Sequence, residues 1–154
     1  MLTWYGLLKV VHVLSVVVWI GAATAFTAIT SFLLGARDRA ALGGWLPYTA
    51  RYGQRFAGPA SLLVLLSGAA MVSVAKLGFQ TLWVAWGFAG IVAHFVYGAT
   101  VMRKRAAELV PMVTTGDVDE ALVARAGRRL IVGNAVYLLL MASVIVVMVL
   151  KPTL

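Results

Sequence analysis

The sequence contains no cysteine and only two histidines. Without cysteine the chain can form no disulfide, thiolate metal site or iron–sulfur cluster, and it has no cysteine nucleophile. It also lacks the Cys-x-x-Cys-His motif through which a haem is attached covalently. Any imidazole chemistry must therefore use His12 or His94.

Acidic residues are scarce as well, with five Asp and Glu among 154 residues. All five fall in segments that we predict to lie outside the membrane, so no carboxylate is expected to act as an acid, base or proton relay within the bilayer. The sequence has no Gly-x-x-x-x-Gly-Lys phosphate loop, no Gly-x-Ser-x-Gly nucleophile elbow and no His-Glu-x-x-His zinc motif. These absences argue against the common hydrolases and against carboxylate-driven transporters.

Hydrophobic residues, in contrast, make up 62% of the chain, and the mean hydropathy is +0.96. This composition predicts an integral membrane protein. Four apolar segments, at about residues 4–34, 58–77, 82–102 and 130–150, reach the roughly 20 helical residues that cross roughly 30 Å of hydrocarbon. They are apolar on every side, which favours helices over membrane strands. The predicted fold is all-α, a four-helix bundle forming a single membrane domain over residues 1–154.

The basic residues predict how this bundle is oriented. The net charge is +8, from 13 Lys and Arg against 5 Asp and Glu. Ten of the basic residues lie in the first and third connections: Arg37, Arg39, Arg51, Arg55, Arg103, Lys104, Arg105, Arg125, Arg128 and Arg129. By the positive-inside bias, these two connections are cytoplasmic loops and both termini are outside, in a multi-pass protein of the cell (inner or plasma) membrane. Topology and anionic lipid account for the charge, and no nucleic acid partner is expected.

Helix four is expected to begin before it enters the membrane. Asp117 and Glu120 have the spacing of a capping box, and good helix formers follow them. We therefore predict a cytoplasmic extension of helix four from about residue 118.

His94 lies a little past the middle of predicted helix three, and Gly87, Gly90 and Gly98 share its face at steps of three and four. An intramembrane histidine is a functional candidate by default. Two neutral imidazoles that face each other across a four-helix bundle are suited to be the axial ligands of haem b, and the glycines would clear space for a flat macrocycle. Alternatively, the glycines are small residues that let two helices approach closely.

His12 shares a face of helix one with Lys9 and Trp19. In the haem interpretation His12 coordinates the iron, Lys9 pairs with a propionate and Trp19 packs on a ring. In the alternative interpretation His12 is a core histidine bonded to a hydroxyl or amide of helix four, and Lys9 only extends to the interface.

The expected depths of the two histidines differ modestly. At 1.5 Å per residue, His12 lies roughly 12 Å below Trp4 and His94 roughly 17 Å below Trp83. Helix tilt of about 20° and long ligand side chains can absorb such a gap, though not much more.

Copper is the alternative cofactor. Helix four presents Asn134, Tyr137, Met141 and Met148 at steps of three, four and seven. A methionine stripe is usually packing. Thioethers together with two histidines also suit Cu(I), so His12 and His94 are candidate metal ligands in either interpretation.

The motif Lys9-x-x-His12, followed by Trp19-x-Gly21, resembles the first helix of a loose group of small four-helix membrane proteins. The group includes the HemJ-type protoporphyrinogen oxidases, the copper-resistance D-type proteins and related families of unknown function. Gly58-Pro-Ala60 with Gly68 is similar to the second helix of the group, and His94-Phe-Val-Tyr-Gly98 with the basic run after it is similar to the third. The resemblance covers most of the chain and implies that His12 and His94 are haem-associated.

Two departures limit what the resemblance implies. HemJ-type proteins carry a basic residue soon after the tryptophan motif and a lysine early in helix three. This chain reads Ala22-Ala-Thr-Ala-Phe-Thr27 and Trp83-Val-Ala-Trp86 in the corresponding stretches. An oxidase of a propionate-bearing porphyrinogen is expected to use such cations. The resemblance therefore implies the haem-binding fold, and the chain looks closest to an uncharacterised member of the group.

These patterns predict a membrane-embedded redox protein that binds haem b through His12 and His94 and exchanges electrons with a quinone or a partner protein, or a HemJ-like porphyrinogen oxidase. The alternative is a non-enzymatic membrane protein that handles copper or stabilises a larger complex. The bilayer is a partner in both cases. Whether the chain is an enzyme and whether it forms a homo-oligomer stay open at this point.

Overall fold

The computed structural model describes residues 3–115 and 118–152, and the regular structure of these residues is entirely helical. Six α-helices are joined in two places by π-helical turns. Their bounds are α1 (Trp4–Gly35), α2 (Arg39–Tyr52), α3 (Gly58–Val74), α4 (Leu82–Tyr97), α5 (Arg103–Thr114) and α6 (Glu120–Leu150), with the π-helical turns at Gly53–Ala57 and Gly98–Met102.

Within the described residues, four continuous helical stretches are long and apolar enough to cross a membrane. They are α1, Arg39–Val74, Leu82–Thr114 and α6. Large apolar side chains such as Phe32, Leu139 and Val149 point outward and are exposed, which is typical of a surface that faces lipid. The predicted all-α architecture with four membrane-length helices is therefore confirmed.

The two connections that we expected as cytoplasmic loops are helical along most of their length. The second membrane-length helical stretch begins at Arg39 rather than near residue 58, and the third continues through α5 to Thr114, beyond the segment 82–102 that we expected to cross the membrane. Each π-helical turn inserts a local bulge without breaking the helix. Pro47 and Pro111 lie inside α2 and α5, where packing against neighbouring helices outweighs the cost of a proline in a helix interior.

α6 begins at Glu120, and Asp119 caps it by accepting a hydrogen bond from the Ala121 backbone N–H at 3.0 Å. The capping-box pattern had indicated Asp117 as the cap. Asp117 lies outside the described residues, and the cap that the structure shows is two residues later. The extension of the fourth helix therefore begins close to, but after, the expected position.

The helical connections form a hydrophobic core at the end of the bundle that carries the ten basic residues, which we call the basic end. Its buried members come from α2, α5 and the first turns of α6: Leu42, Leu46, Leu109, Val113, Val123, Ala126 and Leu130. The Arg39 guanidinium donates to the Val118 carbonyl at 2.8 Å, and that of Arg105 donates to the Arg129 carbonyl at 2.7 Å. Apolar burial and these bonds explain why the connections fold as helices instead of loops.

The other half of the bundle surrounds a shared interior. α1 packs along α3 and along α6, and α4 packs along α6. Among the described residues no Cα atom of α1 lies within 8 Å of a Cα atom of α4, so these two helices are diagonal. Side chains of α1 and α4 therefore meet across the interior, where the candidate site lies.

Candidate functional site

A cavity of about 420 Å³ lies between α1, α3, α4 and α6. Its volume falls within the roughly 300–1,000 Å³ that is typical of small-molecule and cofactor sites. Six of the seven predicted site residues line it: Lys9, His12, Trp19, Gly87, Gly90 and His94. The seventh, Gly98, is not among the lining residues. The fold thus brings both histidines into one space whose walls are otherwise mostly aliphatic and aromatic.

The cavity runs from the end opposite the basic end toward the middle of the bundle. Among its lining residues, Tyr5, Lys9, Trp83 and Lys151 lie nearest the helix ends, and we call this region the mouth. Trp19, His94 and Met141 lie deepest in the bundle, and we call this region the floor. The ten residue-to-residue steps from Lys9 to Trp19 on α1 span about 15 Å, and the ten steps from Met141 to Lys151 span about the same distance along α6. The floor is closed by a buried cluster of Trp19, Ala60, Ile91 and Met141.

His94 is the least satisfied polar side chain of the site. It is only 3% exposed, and neither Nδ1 nor Nε2 has a hydrogen-bond partner among the described residues. Trp19 on α1 stands edge-on to the imidazole with ring centroids 4.3 Å apart. The Tyr137 ring on α6 also contacts the imidazole, with ring centroids 3.5 Å apart. Buried polar groups are rarely left without a partner. Both ring nitrogens of His94 therefore lack a partner, and because each is fully buried, a ligand at the cavity floor reaches one of them only when a neighbouring side chain moves.

His12 lies higher in the cavity and has a defined partner. Its Nδ1 is 3.1 Å from the Ser67 hydroxyl oxygen, and that hydroxyl donates its proton to the Leu63 carbonyl. His12 must then carry its proton on Nδ1 and donate it to Ser67, which leaves the lone pair of Nε2 available to a metal. In the alternative interpretation, we expected the hydrogen-bond partner of His12 to lie on helix four. The partner is instead on α3, because α1 packs along α3.

The two histidines lie further apart in depth than we expected. His94 packs against Trp19, which is seven residues beyond His12 on the same helix. Seven residues of α-helix span about 10 Å, whereas counting from the helix ends predicted a difference of about 5 Å. The two rings line one cavity, yet they do not face each other at one level.

The glycines of α4 permit a close approach of α6. A Cβ atom on Gly87 would overlap the terminal methyl of Met148, and one on Gly90 would overlap a methyl of Val144. A Cβ atom on Gly98 would lie 3.8 Å from the Tyr137 ring, which is an ordinary contact. Close helix packing is thus what Gly87 and Gly90 provide in the structure, although both also border the cavity.

Methionine sulfur is present beside the histidines. Met71, Met141 and Met148 all line the cavity, so the two methionines of the predicted copper set share it with His12 and His94. Within residues 3–115 and 118–152, no group of three or more His, Cys, Asp or Glu side chains lies close enough to hold a metal ion. A metal in this cavity would therefore need thioether or cofactor ligands in addition to imidazole.

The predicted site did not include Ser67, Tyr137 or Lys151. Ser67 contacts His12, Tyr137 contacts His94, and Lys151 lines the cavity. A serine inside the apolar segment 58–77 was an available signal, because intramembrane polar groups are functional candidates. The contact of Lys151 with Trp83, at 5.3 Å from Nζ to the ring centroid, depends on the antiparallel register of α4 and α6. No sequence pattern encodes that register directly.

Comparison with known proteins adds one finding. A family model described as "Predicted integral membrane protein (DUF2269)" matches residues 6–152. No curated protein and no solved structure gives a significant match. The matched range includes both histidines and every helix that lines the cavity. The chain therefore belongs to this family of predicted integral membrane proteins.

Proposed function

We propose that this protein binds haem b within the membrane and takes part in electron transfer, with His94 as an iron ligand. Because His12 lies about 10 Å further along the bundle axis, its coordination of the same iron requires α1 to shift along α4 when haem binds. The observation that carries the proposal is the His94 ring, which is buried at the floor of a cavity with both nitrogens unpartnered. An imidazole in this state suits coordination of iron, because the bond would satisfy a nitrogen that the described protein atoms do not.

Other residues that line the cavity or contact its histidines support a bound macrocycle in specific ways. The hydrogen bond from His12 to Ser67 fixes the tautomer of His12 and leaves Nε2 as a ligand. Trp19 and Tyr137 hold the His94 ring from α1 and α6. Met148, which has a flexible side chain, covers Gly87 and can turn aside. Haem bound here would supply reversible one-electron chemistry.

The resemblance to the HemJ-type and copper-resistance D-type proteins supports a haem or metal role. The resemblance rests on the order of short motifs around His12, Gly58 and His94. A quinone or a partner protein would exchange electrons with the haem. We do not extend the proposal to porphyrinogen oxidation, because the basic residue expected soon after the Trp19 motif of α1 and the lysine expected early in α4 are both missing.

An absorption spectrum tests the proposal. Protein expressed with iron and 5-aminolevulinate and purified in detergent is expected to show a Soret band. His94→Ala should abolish the band or return it only with added imidazole, whereas the control Ser61→Ala, a buried residue outside the cavity lining, should leave it unchanged. Wild-type protein that neither purifies with haem nor takes up added haemin would refute the proposal.

His12 has its own spectroscopic signature. Removing one of two axial imidazoles converts six-coordinate low-spin haem to five-coordinate high-spin haem. His12→Ala should therefore keep the haem but shift its spectrum to high spin. An unchanged low-spin spectrum would show that His12 is not the second ligand and that another cavity residue fills that position.

Copper is a second candidate because Met141 and Met148 share the cavity with both histidines. Thioether and imidazole ligands together favour Cu(I). Titration of the haem-free protein with Cu(I) against a competing chelator should then show one site. Replacement of both methionines by leucine should weaken that site, and unchanged affinity in the double variant would exclude this set of ligands.

A further inference from the structure

We propose that the ligand of the cavity is an anionic amphiphile, bound with its anionic group at the mouth between Lys9 and Lys151 and its apolar body directed toward His94. This inference rests on the proposal that the cavity binds a ligand. It does not require the ligand to be haem.

The first support is the distribution of polarity along the cavity. Two lysines line the mouth, while the walls below them are formed mainly by aliphatic and aromatic side chains of α1, α3, α4 and α6. A ligand that satisfies both regions has a charged end and an apolar body. Because ammonium groups attract carboxylate and phosphate, the charged end is an anion.

The second support is that no side-chain carboxylate of the described residues competes for these lysines. The four described acids, Asp38, Glu108, Asp119 and Glu120, all lie at the basic end of the bundle. The ion pair seen there, between Arg37 and Glu120 at 3.4 Å, is far from the mouth. Lys151 contacts the Trp83 ring, which fixes its ammonium group at the rim without neutralising its charge.

The third support is that the cavity has one polar end. Its floor is closed by the cluster of Trp19, Ala60, Ile91 and Met141. Below that cluster lies the core of the basic end, which contains Leu109 and Leu130. A ligand therefore reaches the cavity from the mouth, on the side that the charge pattern predicts to be outside the cell, or from the lipid leaflet on that side.

Paired probes that differ mainly in charge test the inference. Haemin is compared with its dimethyl ester by absorbance, and cis-parinaric acid with its methyl ester by fluorescence. Pyrene-labelled phosphatidic acid is compared with pyrene-labelled phosphatidylcholine. The purified protein, in a neutral detergent, should bind the charged member of at least one pair about tenfold more tightly, as expected for one charge-assisted interaction.

Three variants locate the effect. In the double variant Lys9→Gln/Lys151→Gln, the preference for the charged probe should fall to less than about threefold. The charge-preserving variant Lys9→Arg/Lys151→Arg should keep it, and this variant also shows that substitution at the two positions is tolerated. Lys76→Gln is the matched control, because Lys76 lies in the turn at the same end but does not line the cavity.

The outcomes separate this inference from the haem proposal. Preference for parinaric acid or phosphatidic acid without haemin binding supports the inference and removes haem. Preference for haemin over its ester supports both proposals and identifies the propionates as the anionic group. Equal binding of both members of every pair, no binding of any probe, or a preference that survives in Lys9→Gln/Lys151→Gln overturns the inference.

Discussion

Trp19 and His94 meet edge to face inside the bundle, with ring centroids 4.3 Å apart and ring planes at 84°. This contact joins two diagonal helices, α1 and α4, and it sets the depth of the cavity floor. Because Trp19 lies two helical turns beyond His12, the same contact separates the two histidines along the bundle axis. Every proposal about the cavity has to accommodate this separation.

The unpartnered His94 predicts an unusual response to an apolar substitution. An unsatisfied buried polar group costs about 1–3 kcal/mol, so His94→Leu should leave the ligand-free protein as stable as the wild type or more stable. The same variant should lose the increase in Tm that haemin gives to the wild type. Thermal unfolding in detergent measures both quantities. A large loss of ligand-free stability would indicate a structural role for the imidazole.

The hydroxyl of Ser67 should act through His12. Removing the hydrogen-bond partner of a metal-bound histidine typically weakens metal affinity about 10–100-fold, and we expect a loss of this size for haemin binding in Ser67→Ala. Ser61→Ala is the matched control, since Ser61 lies on the same helix and its hydroxyl donates to the Gly58 carbonyl at 2.7 Å. Similar effects of the two substitutions on the haemin dissociation constant would contradict the role of Ser67.

The two cavity glycines should differ in their tolerance of a methyl group. Gly90→Ala places Cβ against the branched, stiff side chain of Val144, and we expect a loss of about 1–3 kcal/mol. Gly87→Ala meets the end of the flexible Met148 side chain, and the loss should be smaller. Unfolding in mixed micelles compares them. Val144→Ala should recover part of the stability lost in Gly90→Ala, and no recovery would argue against this contact.

The core of the basic end should be essential to the folded protein. Leu109 is 0% exposed, and Leu109→Ala should cost about 2–5 kcal/mol because it leaves a cavity. Leu139 on α6 is 69% exposed, and Leu139→Ala should change the free energy of unfolding by less than about 0.5 kcal/mol. If the two substitutions had equal effects, the helical connections would not be contributing a packed core.

The absence of native cysteine makes the membrane orientation directly measurable. Single cysteines are introduced at Gln80, in the short turn, and at Thr115, at the end of α5. The positive-inside bias predicts that Gln80→Cys reacts with a membrane-impermeant maleimide in intact cells and that Thr115→Cys reacts only after the membranes are opened. The cysteine-free parent is the unlabelled control. The reverse pattern of labelling would invert the orientation.

The membrane architecture follows from the sequence alone. About 20 consecutive apolar residues can be stabilised in hydrocarbon only as a helix, so composition and segment length determined the four membrane helices. The scarcity of ionisable groups likewise directed attention to His12 and His94. Lys9, Trp19, Gly87 and Gly90 could be added from helical periodicity, because residues three and four apart share a face.

Only the tertiary structure decided the features that depend on how the helices pack. The connections became helices because Leu42, Leu109 and Leu130 bury one another across α2, α5 and α6, and such long-range contacts override weak local preferences. The partner of His12, the depth of His94 and the contact of Lys151 with Trp83 depend on which helices are neighbours and in what register. Periodicity identifies the face of a helix, but it does not identify the helix that the face meets.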